Sequence, residues 1–195
     1  MGESKMGESK MGESEIQMMP TDVDKRDQRY PLLYQINTRV RLTELSASLG
    51  RPATLDDMPN GELDGLAEMG FDWVWLLSVW HTGAAGQRIS RSNSEWRREF
   101  DETIPDLRED DIAGSGFAIA SYVVQPGLGG DLALARLRGR LRSRGLRLML
   151  DFVPNHTAVD HPWVEAHPEY YIAGTDDDIA RAPWNYVRVQ RTKGD

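Results

Sequence analysis

The sequence predicts an α/β fold built on a parallel sheet. Three observations carry that prediction: strand-like apolar runs alternate with amphipathic stretches, glycines sit where the helices should stop, and polar residues gather where the third apolar run ends. Successive β-α units cross over right-handedly, which sets their strands parallel.

The elements follow in order from Pro31. Leu32 to Val40 is predicted as the first strand. Asn60 is placed to cap a helix with Leu63, Leu66, Ala67 and Met69 on one face, and Gly70 ends it. Phe71 to Trp80 reads F-D-W-V-W-L-L-S-V-W, a second strand whose lack of clean alternation predicts burial on both faces. His81 to Ser94 reads as a loop rich in Gly, Ser and Arg. Glu95 to Leu107 is predicted helical, with Trp96, Phe100 and Ile104 one turn apart and Pro105 as an interruption. Asp110 to Gly130 is a second loop; its G-L-G-G at Gly127 to Gly130 lacks the Lys and Ser/Thr of a phosphate loop and reads as a flexible lead into the next helix.

Asp131 then caps a helix to Arg144, with Leu134, Leu137 and Leu141 as its buried stripe and Arg136, Arg140 and Arg144 as a solvated face. Gly145 supplies the left-handed residue after it. Leu146 to Val153 is the third strand, and Pro154 ends its ladder because it has no N–H to donate. Asp151, Asn155 and His156 therefore collect at the carboxyl end of a parallel strand, the edge at which such sheets hold ligands. After Pro162 the chain is aromatic and aperiodic. It is expected to form an irregular subdomain or long loop with Tyr170, Tyr171 and Trp184 in its core.

Composition narrows the function. The 195 residues are 39% apolar and carry a net charge of −8, which argues against nucleic acid or anionic lipid as a partner and favours a neutral small molecule. The absence of Cys removes disulfides, thiolate metal sites and a cysteine nucleophile. With no signal peptide and no run long enough to span a bilayer, a cytoplasmic location is expected. The opening M-G-E-S-K repeats are too polar to bury a face, so disorder is expected over residues 1–25.

Y-Q-I-N-T-R at Tyr34 to Arg39, G-F-D-W-V-W-L at Gly70 to Leu76, G-F-A-I-A-S-Y at Gly116 to Tyr122 and D-F-V-P-N-H at Asp151 to His156 together resemble the first half of the α-amylase family of glycoside hydrolases. T-A-V-D-H-P-W after the last motif is similar to the oligosaccharide-acting branch. The resemblance implies the N-terminal portion of a (β/α)8 TIM barrel: strands 1 to 3 within residues 26–162, and the start of a small domain inserted after strand 3 in residues 163–195. It implies retaining hydrolysis or transglycosylation of α-glucosidic bonds in oligosaccharides or α-glucans. The family's nucleophilic Asp, acid/base Glu and stabilising Asp lie on strands four, five and seven, so no catalytic residue is expected in this chain.

The resemblance also assigns roles. His156 is similar to the imidazole that hydrogen-bonds sugar hydroxyls beside the scissile bond. Asn155 resembles the amide that steadies this turn and, in calcium-dependent members, binds the ion; calcium is possible and no other cofactor is required. Asp151 resembles a carboxylate that orients its neighbours, and Phe117 stands where most members carry a sugar-stacking Tyr. The expected partner is an α-linked glucosaccharide. Ala118 and Ser121 depart from the usual G-Y-D-x-x-D-Y, which keeps open a noncatalytic carbohydrate-binding or regulatory derivative of the fold.

Other readings stand beside these. His156, His161, His167 and Asp160 are an alternative transition-metal set, although Pro162 and Pro168 argue against a helix there. Asp176 to Asp178 reads as an exposed turn, and Trp73 and Trp75 as barrel packing, with Trp80 nearer the ligand end. A three-stranded piece of barrel leaves strands one and three as open edges, which predicts association with a partner or aggregation.

Overall fold

A computed structural model of the chain describes residues 30–189. The expected tail over residues 1–25 lies outside the described residues.

The element order is β1 Leu33–Asn37, α1 Thr38–Leu49, α2 Asn60–Glu68, β2 Trp73–Leu77, β3 Trp80–His81, α3 Ala85–Ser92, α4 Ser94–Thr103, β4 Ser121–Val124, α5 Gly130–Arg142, β5 Arg147–Leu150, α6 Pro162–Ala166 and α7 Asp176–Arg181. Strands β1, β2 and β5 form a parallel sheet in that order, with Leu33 level with Trp73 and Trp73 level with Arg147. β3 and β4 pair antiparallel as a separate ribbon. The predicted parallel sheet is present, with β1 and β5 at its edges.

The first strand is shorter than predicted. Asn37 closes β1 and caps α1, its side chain accepting from the Val40 amide at 3.4 Å, and Gly50 at φ +66° ends that helix. A 12-residue helix thus stands where sequence reasoning continued a strand to Val40. The second strand also stops early, because Ser78 takes a left-handed φ of +65° and turns the chain out of the sheet. Its burial alternates: Val74 and Leu76 are buried, whereas Trp73, Trp75 and Leu77 stay partly open, so burial on both faces does not hold.

Two predicted loops contain structure. Residues 85–92 are helical, with the first amide of α3, from Ala85, donating to Asp160 at 2.8 Å, and the second loop contains β4. The helix begun at Ser94 stops at Thr103, ahead of Pro105. β5 covers only Arg147–Leu150, and the chain runs on from Asp151 without ladder partners. Past Pro162, the predicted irregular region contains two short helices; Pro162 itself starts α6, a position that needs no amide donor. Asp176 to Asp178 form the first turn of α7, capped by Thr175.

The core lies between the sheet and helices α1, α2 and α5. Ile36, Val74 and Leu76 from the sheet meet Leu42, Leu63, Leu66, Leu137 and Leu141 from the helices. Met69, expected on the buried face of α2, is 63% exposed; it follows the last helical residue and has left the stripe. Asp131, expected as the cap of α5, lies one residue inside it and accepts from the Val124 amide at 2.9 Å.

The arginines of α5 are more than a solvated face. Arg136 pairs with Asp56, Arg144 with Asp64, and Arg140 donates to the carbonyls of Asp56 and Met58 and to Asn60 Oδ1. They fasten α5 to the chain around the start of α2, about one barrel unit earlier in sequence.

Candidate functional site

The carboxyl ends of β1, β2 and β5 are level, with Asn37 beside Leu77 and Leu76 beside Leu150. Arg39, Ser78 and Asp151 follow directly along this edge. Arg39 donates to the buried Thr82 hydroxyl at 2.9 Å; burial pushes its guanidinium below the ordinary value, while the charge persists at neutral pH.

Asp151 is 7% exposed and works as a hub. Its carboxylate accepts from the Trp75 indole at 2.8 Å and the Ser78 amide at 2.6 Å, and its carbonyl accepts from the Trp80 indole at 2.8 Å. Both carboxylate oxygens are taken up by the protein. Gly116 lies against Ser78, where an added Cβ would stand 1.9 Å from Oγ, so the glycine is required for the excursion to cross this turn. Trp75 and Trp80 thus do more than pack: they aim the chain leaving β5.

That chain builds a cleft of about 570 Å³. One wall is Ile119 to Tyr122, a second is Phe152 to Pro154 with His156 and Thr157, and a third is His161 to Trp163. Long-range bonds hold the walls together. The Ala158 amide donates to the Ile119 carbonyl at 2.9 Å, and the Tyr122 hydroxyl accepts from the Val153 amide at 2.8 Å and donates to the Val153 carbonyl at 3.1 Å. Asp160 reaches back to the start of α3, and Gly83 at φ +62° makes room, since a Cβ there would meet the carboxylate at 2.6 Å.

His156 is exposed at the cleft, with Nδ1 3.2 Å from Asn155 Oδ1. With its proton on Nδ1 the ring donates to Asn155 and presents Nε2 as an acceptor; as imidazolium it donates from both nitrogens. The lining includes no Asp, Glu, Lys or Arg, so the cleft suits an uncharged ligand with apolar faces and a few hydroxyls.

The sequence-selected residues therefore separate. His156 lines the cleft, and Asn155, outside the lining, contacts its ring. Asp151 lies beneath, buried and fully engaged, and Phe117 is 41% exposed outside the lining. The residues that sequence reasoning passed over are Tyr122, at the far end of the same G-F-A-I-A-S-Y segment, and Trp163. Tyr170 and Trp184, expected in a subdomain core, are 61% and 79% exposed.

The alternative metal set does not assemble. Asp160 is spent on the Ala85 amide, His161 Nδ1 accepts from the Trp163 amide, and His167 pairs with Glu169. Among the described residues no group of three His, Cys, Asp or Glu side chains is placed to hold a metal ion. Calcium requires about six to eight oxygen ligands; Asn155 Oδ1, the expected one, is turned to His156 Nδ1 at 3.2 Å.

Residues 60–193 match the family model described as the catalytic domain of α-amylase. The chain belongs to the α-amylase family. Curated relatives of this family member include an α-1,4-glucan:maltose-1-phosphate maltosyltransferase of Burkholderia pseudomallei, 29% identical over 170 residues, covering 85% of the chain and 13% of the relative. The maltosyltransferase of Arcanobacterium haemolyticum is 35% identical over 121 residues, covering 62% of the chain and 16% of the relative. An α-amylase structure from Lactobacillus plantarum superposes with a TM-score of 0.53 at 22% identity, covering 75% of the chain and 28% of that protein. The chain thus spans less than a third of each, and its three parallel strands with their helices are part of a TIM barrel. Among the described residues no helix is long and apolar enough to cross a membrane.

Proposed function

We propose that this chain forms a sugar-binding wall of an α-amylase-family glycosidase or transglycosylase acting on α-glucosidic bonds. The observation that carries the reading is His156, held by Asn155 in an uncharged cleft at the carboxyl edge of the parallel sheet. His156 hydrogen-bonds the hydroxyls of one glucose unit, Asn155 sets its ring, and Asp151 positions the turn from below. Phe117 offers an aromatic face outside the cleft. The maltosyltransferase relatives favour transfer of maltosyl units over hydrolysis.

Retaining chemistry takes two carboxyl groups about 5–5.5 Å apart, one attacking the anomeric carbon and one protonating the departing oxygen. The cleft lining has neither. In this reading those acids stand on other barrel strands, residues 163–195 begin the inserted domain, and the 195-residue chain alone binds without turning sugar over.

The test is titration of the chain with maltose by calorimetry, beside assays on maltose, sucrose, trehalose and starch. The expected result is saturable binding that falls at least tenfold in His156→Ala, with no turnover. A folded chain that ignores maltose, or an alanine variant of unchanged affinity, refutes the assignment; turnover by the chain alone refutes the missing-acids argument. Ala118 and Ser121, in place of the family's carboxylates, favour the second reading, a noncatalytic binder. That reading predicts binding with no turnover even from the full natural polypeptide.

A further inference from the structure

We propose that Trp163 is the platform of a second ring site in this cleft, on which the next α-linked glucose unit stacks beyond the one held by His156. The inference rests on the proposed sugar-binding role and goes further by assigning chain-length preference to one residue.

Trp163 is a large apolar side chain left 51% exposed while lining the cleft. It is also held in place. It sits in the first turn of α6, and its own amide donates to His161 Nδ1 at 3.1 Å. Its indole makes edge-to-face contacts with His161, centroids 5.0 Å apart at 65°, and with Tyr170, 5.6 Å apart at 83°. Tyr170 in turn stacks on His167 at 4.8 Å and 9°, and the His167 ring is anchored by Glu169 at 3.1 Å. Four rings thus form a ladder that fixes the indole plane before any ligand arrives. Such pre-ordering spares the side-chain entropy that a mobile ring would lose on binding.

The surroundings specify the occupant. A pyranose carries its hydroxyls around the rim and C–H groups on its faces, so it needs an apolar plane with hydrogen-bonding groups at the edge. The cleft offers that pairing: Trp163, Pro162, Phe152 and Tyr122 supply apolar surface, while His156 and Ser121 supply polar atoms. Among the described residues the Ser121 hydroxyl makes no hydrogen bond, which leaves it for a ligand. The absence of charge in the lining disfavours a phosphate here and matches the uncharged part of a glucan. At about 570 Å³ the cleft has room for more than the single ring that His156 serves.

The experiment uses the 195-residue chain, titrated calorimetrically with glucose, maltose and maltotetraose, together with Trp163→Ala, Trp163→Phe and His156→Ala. Wild-type affinity should rise with sugar length. Trp163→Ala should lose about tenfold for maltotetraose and less than twofold for glucose, Trp163→Phe should keep most of the gain, and His156→Ala should weaken all three. In ¹⁵N-labelled wild type, the indole N–H signal that Trp163→Phe abolishes should shift with maltotetraose and not with glucose, a readout that stands even where the alanine variant unfolds. Maltotetraose bound equally well by Trp163→Ala, or an unshifted indole signal at saturation, overturns the platform alone. A folded wild type that binds none of the three sugars overturns the sugar-binding assignment and the platform with it. Capture of an apolar peptide in place of sugars also overturns the platform.

Discussion

Replacing Asp151 by alanine should cost about 3 kcal/mol of folding stability. The carboxylate satisfies two donors, the buried Ser78 amide at 2.6 Å and the partly exposed Trp75 indole at 2.8 Å. A buried donor left without an acceptor costs about 1–3 kcal/mol. The amide cannot reach water and takes about 2 of that range, and the indole, which can recruit solvent, takes about 1. The Trp80 indole bonds the Asp151 carbonyl and is indifferent to the substitution. Asp151→Asn retains one acceptor oxygen, so it should cost about half as much, with the amide nitrogen facing the donor it cannot accept. Urea denaturation followed by tryptophan fluorescence measures both, since Trp75 and Trp80 report the site directly. A loss below about 1 kcal/mol for the alanine variant, or equal losses for the two variants, would refute the hub.

Two further substitutions test the frame. Arg140→Ala should destabilise by about 1–2 kcal/mol because it strips two carbonyls of their donor and leaves Asn60 only Arg144, whereas Arg136→Ala, which loses only an exposed pair with Asp56, should leave the urea midpoint nearly unchanged. Gly116→Ala should cost about 1–3 kcal/mol by driving a methyl into Ser78, and Ser78→Gly in the same chain should restore most of it, as thermal denaturation of the double variant would reveal.

The sequence displayed what local chemistry controls. Leucines at helical spacing marked α2 and α5, and Gly70 and Gly145, both at positive φ, marked the chain beyond them. It hid what distant partners control. Thr38 and Val40 carry β-branched side chains that prolong a strand pattern, whereas in the fold Asn37 caps a helix that begins at Thr38. α3 has little apolar content and is started by Asp160, 75 residues away. The cleft divides in the same manner: His156 was visible from its place after a strand, but Tyr122 depends on a bond to Val153 and Trp163 on rings spread over residues 161–170. Arg136, Arg140 and Arg144 showed their spacing and concealed their partners.

The ribbon of β3 and β4 leaves the body of the protein with its two ends side by side: the Gln125 amide donates to the Val79 carbonyl at 2.9 Å, and Trp80 faces Val124. Residues 82–120 run out and back from that clasp, with further ties from Arg39 to Thr82, Ala85 to Asp160 and Ala158 to Ile119. Lengthening the chain between those ties is cheap, about 0.6 kcal/mol per doubling. An insertion between those ties leaves the β1-β2-β5 ladder intact.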